Sequence, residues 1–98
     1  MKTSKWDMAE SMDTKEDVLA HLALAIEDND IDFLLSTLNA LARAKGMAQI
    51  AADLGVSREG LYKSLSPGSN PSFATVVKTL DNLGFKLNVE VKQALQAV

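Results

Sequence analysis

The stretch MAQIAADLGVSREGLYKSL, residues 47–65, decides the fold. Ile50 and Ala51 stand at its fourth and fifth places, Leu54 and Gly55 at the eighth and ninth, Val56 at the tenth and Leu61 at the fifteenth. Two short helices that cross closely need a methyl-sized residue where their axes approach, and Ala51 meets that need. The corner between them needs a residue that tolerates positive φ, which Gly55 supplies. Ile50, Leu54, Val56 and Leu61 are then expected to bury the seam, and the whole is the pattern of a helix-turn-helix. The plainer alternative, two helices of an ordinary helical domain joined by a Gly-Val-Ser turn, accounts for fewer of these coincidences.

In a helix-turn-helix the second helix, here REGLYKSL, lies in the DNA major groove with its first residues on base edges. Ser57, Arg58, Glu59, Tyr62 and Lys63 are expected to point away from the Leu61 and Leu65 seam and form the base-reading set. Arg58 has the planar fork for guanine, Glu59 can accept from cytosine or buttress Arg58, and Tyr62 can reach a thymine methyl or a phosphate. Lys45, Gln49, Ser66, Asn70 and Lys78, with Lys63, are the expected phosphate contacts, which set register without reading sequence. Arg58 as an ordinary surface helix-former is the bland alternative. Gly60 is out of place, because glycine in a helix interior costs about 0.8–1.0 kcal/mol relative to alanine; close approach to DNA is one reason to keep it.

Outward from this unit the chain reads as further helices. Asp13 or Thr14 caps a helix over KEDVLAHLALAIED, whose Glu16 and Asp17 suit the positive end of its dipole. Val18, Leu19, Leu22, Ala25 and Ile26 make its amphipathic stripe. Asp30 caps a second helix over about 31–45, with Phe33, Leu34, Leu38 and Leu41 apolar, and Gly46 stops it. SPGSNPS, residues 66–72, is turn chemistry throughout. Ser72 caps a helix over 73–83 whose Phe73, Val76, Val77, Leu80 and Leu83 make one face, and Gly84 ends it. Trp6 and Met8, in an aperiodic N-terminal stretch, are large apolar groups expected to dock on the rest.

After Gly84 the period changes to two. Phe85, Leu87, Val89 and Val91 alternate with Lys86, Asn88, Glu90 and Lys92, the mark of a half-buried strand. A lone strand in a helical protein leaves its backbone donors and acceptors unpaired. The same strand of a second copy is the economical partner, so Phe85, Leu87, Val89 and Val91 are the expected interface of a homodimer. Two recognition helices about 34 Å apart would then read a near-palindrome. Addition of this strand to another protein's sheet is the rival use.

The stretch 42–87 resembles the addiction-module antidote proteins, HigA-like antitoxins within the phage-repressor (Xre, Cro/CI-like) helix-turn-helix superfamily. The residues that carry the resemblance are Arg-Ala-Lys-Gly-Met at 43–47, Ser-Arg-x-x-Leu-Tyr at 57–62, and Leu-Ser-x-x-Ser-Asn-Pro-x-Phe at 65–73, where a glycine is usual in place of Ser69. Trp6-Asp7 and the acidic helix extend it over nearly the whole chain. The resemblance implies a five-helix DNA-binding antitoxin that neutralises a RelE/HigB-like toxin encoded beside it and represses their shared operon by binding double-stranded operator DNA. A free-standing phage-type repressor and a pure protein-interaction module are the alternatives.

Composition bounds the rest. At 98 residues, 47% hydrophobic and 23% charged, the chain suits one soluble globular domain. The expected architecture is all-α over 1–98: an acidic extension with one helix at 1–30, the helix-turn-helix core at 31–84, and a strand and tail at 85–98. The formal charge of −3 averages unlike halves. Residues 1–32 hold nine acids against three lysines, −6, whereas residues 33–98 hold seven bases against four acids, +3. Such polarity points to a basic face for polyanions and an acidic face for something else. With no cysteine and one histidine, His21, thiol chemistry and Cys- or His-built metal sites are excluded, and no cofactor or catalytic residue is expected. The acids of 28–32 alternate but lack the glycine and glutamate of a calcium loop, and His21 reads as a packing residue. No apolar run approaches the roughly 20 residues of a membrane span and no signal sequence is evident, so cytoplasmic residence is the expectation.

Overall fold

The computed structural model describes residues 14–92; Trp6, Met8 and the tail beyond residue 92 lie outside them. Among the described residues five helices follow one another: α1 (Lys15–Glu27), α2 (Ile31–Lys45), α3 (Met47–Leu54), α4 (Arg58–Ser64) and α5 (Phe73–Asn82). Each of four is started by a short polar side chain that takes an otherwise orphaned backbone N–H. Thr14 accepts from Asp17 at 3.1 Å, Asp30 from Phe33 at 3.0 Å, Ser57 from Gly60 at 2.9 Å and Ser72 from Thr75 at 3.1 Å. The exits of α1, α3 and α5 turn through left-handed residues, Asn29 at φ 55°, Gly55 at 77° and Gly84 at 92°. After α5 the Gly84 and Phe85 N–H groups close back on Asp81 and Leu80 carbonyls at 3.0 and 2.9 Å, the Schellman pattern that also lays the following side chain on the helix.

All five helices feed one core. Val18 and Leu22 of α1, Leu38 and Ala42 of α2, Met47, Ile50 and Ala51 of α3, Leu61 of α4 and Leu80 of α5 meet there, together with Leu65. Ala51, almost fully buried, lets α3 approach its neighbours closely, as the sequence requires of that place. Buried hydroxyls are satisfied locally: Thr37 donates to the Phe33 carbonyl at 2.9 Å and Thr79 to that of Thr75 at 2.7 Å. His21 is half-buried, its ring 6.3 Å from that of Phe33 and its Nδ1 3.0 Å from the Asp17 carbonyl. Of the alternating acids, Asp30 caps α2 and Asp32 accepts from the Gly68 N–H at 2.9 Å.

The core is narrower than the hydrophobic pattern predicts. Leu19 and Ile26 of α1, Val56 after the corner and Phe73 at the start of α5 are exposed rather than buried. α1 packs chiefly on α2, so one flank of its apolar stripe stays uncovered by the other described helices. Val56 follows the left-handed Gly55 and rides outside the bend. Phe73, 75% exposed, occupies the first position of α5, before that helix reaches its partners.

No strand is present among the described residues, in contrast to the reading of 85–91, because a strand exists only with a hydrogen-bonded neighbour and none lies beside this segment. The alternation survives in part. Phe85 and Leu87 are half-buried against the chain's own core, while Lys86 and Asn88 are exposed. Lys15 Nζ sits 5.6 Å over the Phe85 ring, at the start of α1, and Val91 and Lys92 share a shallow hollow with Glu27 at its end. The segment therefore passes along α1, with Val89 and Val91 left 92% and 75% exposed.

Candidate nucleic-acid interface

Three residues, Gly55, Val56 and Ser57, separate α3 from α4. Gly55 at φ 77° turns the chain, and the Val56 N–H closes onto the Ala51 carbonyl at 3.0 Å. Ser57 then starts α4, whose Leu61 is buried against α3. Burial of Leu61 sets the rotation of this seven-residue helix and turns Arg58, Glu59, Tyr62 and Lys63 outward, where all four are exposed.

Two further attachments hold α4. The buried Asn39 of α2 donates from its side-chain amide to the Tyr62 carbonyl at 3.2 Å. The loop at 66–72 supplies hydroxyls to the helix end: Ser66 donates to the Tyr62 carbonyl at 2.9 Å and Ser69 to that of Lys63 at 2.6 Å. These bonds satisfy carbonyls that a helix C-terminus leaves without partners. The loop is fastened in turn to α2 by the Gly68–Asp32 bond.

Arg58, Glu59, Tyr62 and Lys63 line a hollow of about 270 Å³ with Arg43 of α2 and Met47 of α3. Three cations and one carboxylate stand around it, over an apolar floor that includes Met47. Lys63 also borders an adjoining notch with Ser64, Ser69, Asn70 and Pro71. Four of the five expected base-reading residues, all but Ser57, are thus neighbours on one surface, and Asn70 adjoins Lys63.

The remaining expected phosphate contacts are placed less simply. Lys45 Nζ donates to the Asn82 carbonyl, at the end of α5, where a cation also suits the helix dipole. Ser66 is half-buried and its hydroxyl donates to the Tyr62 carbonyl. Gln49 is exposed, with its amide on Asp53 at 3.1 Å, and Lys78 is exposed on α5. Ser57 acts as the cap of α4. Gly60 has a reason within the chain itself: a Cβ there would lie 2.9 Å from the Ser57 Oγ that caps the helix. Of the expected dimer contacts, Phe85 and Leu87 rest on the chain's own core, Val89 and Val91 are open, and the Asn88 side chain accepts from the Val89 N–H at 2.9 Å.

Arg43 is the residue of this surface that the sequence reading passed over. The signal was available in helical spacing. Arg43 lies four places after Asn39 and so on the same flank of α2, the flank that meets α4.

The family model described as "Probable addiction module antidote protein" matches residues 2–91 of the chain. An uncharacterized protein of Haemophilus influenzae strain Rd is 42% identical over 85 residues, a span covering 87% of this chain and 88% of that protein. No solved structure matches the chain.

Proposed function

We infer the function from one premise: the chain belongs to the addiction module antidote family. An antidote implies a toxin, and we assign the chain as the antitoxin of a two-gene module that neutralises a RelE/HigB-like toxin and represses its own operon. The observation that carries the repressor half is the α3–α4 corner, with Leu61 buried and Arg58, Glu59, Tyr62 and Lys63 turned outward together. In this reading α4 enters the major groove as the recognition helix of a helix-turn-helix of the phage-repressor kind. Arg58 reads guanine, Glu59 steadies Arg58 or accepts from cytosine, and Tyr62 and Lys63 contact thymine or phosphate.

The toxin half is supported by charge and by exposed apolar surface. Residues 14–32 hold Glu16, Asp17, Glu27, Asp28, Asp30 and Asp32 against Lys15 alone. Among these acids Leu19, Leu24, Ile26 and Ile31 are exposed. Phosphate would be repelled here, whereas a small basic protein with an apolar contact patch fits. Val89 and Val91 supply the seam of a homodimer that carries two recognition helices to a near-palindromic site. Among the described residues no helix is long and apolar enough to cross a membrane.

Co-expression with the adjacent reading frame, followed by a gel shift on the upstream duplex, tests both halves. The tagged chain should relieve growth arrest caused by the neighbour's product and co-purify with it. It should also retard the duplex with an affinity that falls steeply as salt rises, through release of phosphate counterions. Growth arrest that persists with the chain present removes the antitoxin assignment. The absence of a retarded band at low salt removes the repressor assignment.

A further inference from the structure

We propose that the hollow between α2 and α4 is a seat for one sugar–phosphate unit of the DNA backbone, and that Arg43, rather than Lys45, is the α2 cation that binds it. This rests on the DNA-binding reading of α4 and names a residue that reading did not contain. Arg43 and Lys45 are two places apart on one helix, which sets them about 200° apart around its axis. The structure separates them accordingly. Lys45 turns to α5 and closes on the Asn82 carbonyl, while Arg43 turns to α4 and lines the hollow with Arg58 and Lys63.

The chemistry of the α2 side of the hollow matches a nucleotide backbone better than a base edge. A base edge needs donors and acceptors held in a plane. A phosphodiester needs converging cations, and the sugar attached to it needs an apolar rest. Arg43 and Lys63 supply the first, with Arg58 left to guanine and the Glu59 carboxylate set beside it, and Met47 with the Tyr62 ring supplies the second. Position agrees as well. A groove-bound helix is flanked by the two strands that form the groove walls, and a cation presented from the neighbouring helix meets one of those walls. Arg43 is attached to the scaffold that sets the pitch of α4, since Asn39, one turn earlier on α2, holds the Tyr62 carbonyl at 3.2 Å. Binding of a phosphate by Arg43 therefore fixes how deeply α4 enters the groove without contributing sequence preference.

The test compares the wild-type chain with Arg43→Gln, Arg43→Lys and Lys45→Ala. The probes are a labelled duplex from upstream of the chain's own reading frame and an unrelated duplex of equal length, each titrated across a series of salt concentrations. Arg43→Gln should weaken binding to both duplexes by the same factor, about tenfold, and lower the slope of log affinity against log salt by about one. Arg43→Lys should keep the slope, because it keeps the charge. Lys45→Ala should keep the slope and lower the melting temperature instead. A circular-dichroism melt separates a lost contact from a lost fold, and should Arg43→Gln unfold, a slope lowered in Lys45→Ala still overturns the seat. A wild-type chain that binds while Arg43→Gln keeps its affinity and slope overturns the seat alone, as does a slope lost in Lys45→Ala. A wild-type chain that binds neither duplex overturns the seat together with the DNA-binding reading.

Discussion

The side-chain amide of Asn39 donates to the main-chain carbonyl of Tyr62 at 3.2 Å, joining α2 to α4 across a separation of 23 residues. The same carbonyl accepts from the Ser66 hydroxyl at 2.9 Å, so the middle of α4 is tied at one atom to the helix behind it and to the loop after it. Burial of Leu61 sets the rotation of α4, and the bonds at that atom hold it in place.

Asn39→Ala leaves the Tyr62 carbonyl with Ser66 as a donor and is expected to lower stability by about 1–2 kcal/mol. Asn39→Asp should be worse at neutral pH, because a carboxylate replaces a donor and faces a carbonyl oxygen in a buried position. Urea denaturation of both variants checks this. If Asn39→Asp is no less stable than Asn39→Ala, donation to Tyr62 is not what the position contributes.

Gly60 and Ser57 should behave as a coupled pair. Ser57→Ala removes the cap of α4 and is expected to cost about 1 kcal/mol. Gly60→Ala brings a helix-propensity gain of up to about 1 kcal/mol, but its Cβ displaces the cap hydroxyl, so the two effects should nearly cancel. With Ser57 already alanine there is no cap to displace, and Gly60→Ala should then stabilise. A double-mutant cycle measures the coupling, and equal effects of Gly60→Ala in both backgrounds would sink the idea.

At the corner, Gly55 has open space around it and is required only by its φ of 77°. Gly55→Ala is expected to cost about 1–2 kcal/mol from the left-handed conformation alone. Gly55→Asn should lose less, because asparagine tolerates that region. Thermal melts of the two variants rank them, and equal losses would locate the requirement in packing rather than in the backbone.

The dimer is best tested at residues that the single chain does not use. Deleting residues 85–98 would also strip Phe85 and Leu87 from the core. Val89→Lys combined with Val91→Lys changes side chains that are 92% and 75% exposed in the lone chain. The pair should yield a monomer in sedimentation equilibrium with an unchanged far-UV spectrum. A dimer mass retained by this double variant would move the seam elsewhere.

The helices and their ends were legible in the chain because their causes are local. Thr14, Asp30, Ser57 and Ser72 each cap with an oxygen three residues from the N–H they accept, and Gly55 and Gly84 each end a helix by adopting a backbone region closed to most side chains. The outward set on α4 was legible for a similar reason, since one buried leucine fixes the phase of a short helix.

What lay beyond the sequence was decided by neighbours. Leu19 and Ile26 satisfy the helical period of α1 yet stay exposed, because period says which residues share a flank and not whether another element covers it. Lys45 and Arg43 are both cations near the end of α2, and only Lys45 is expected at a phosphate; packing of α5 on one side and α4 on the other sends Lys45 to a carbonyl and Arg43 to the hollow beside Tyr62. Local backbone chemistry thus determined where each helix begins and ends, while contacts between residues far apart in the chain decided which of its faces remains open to a partner.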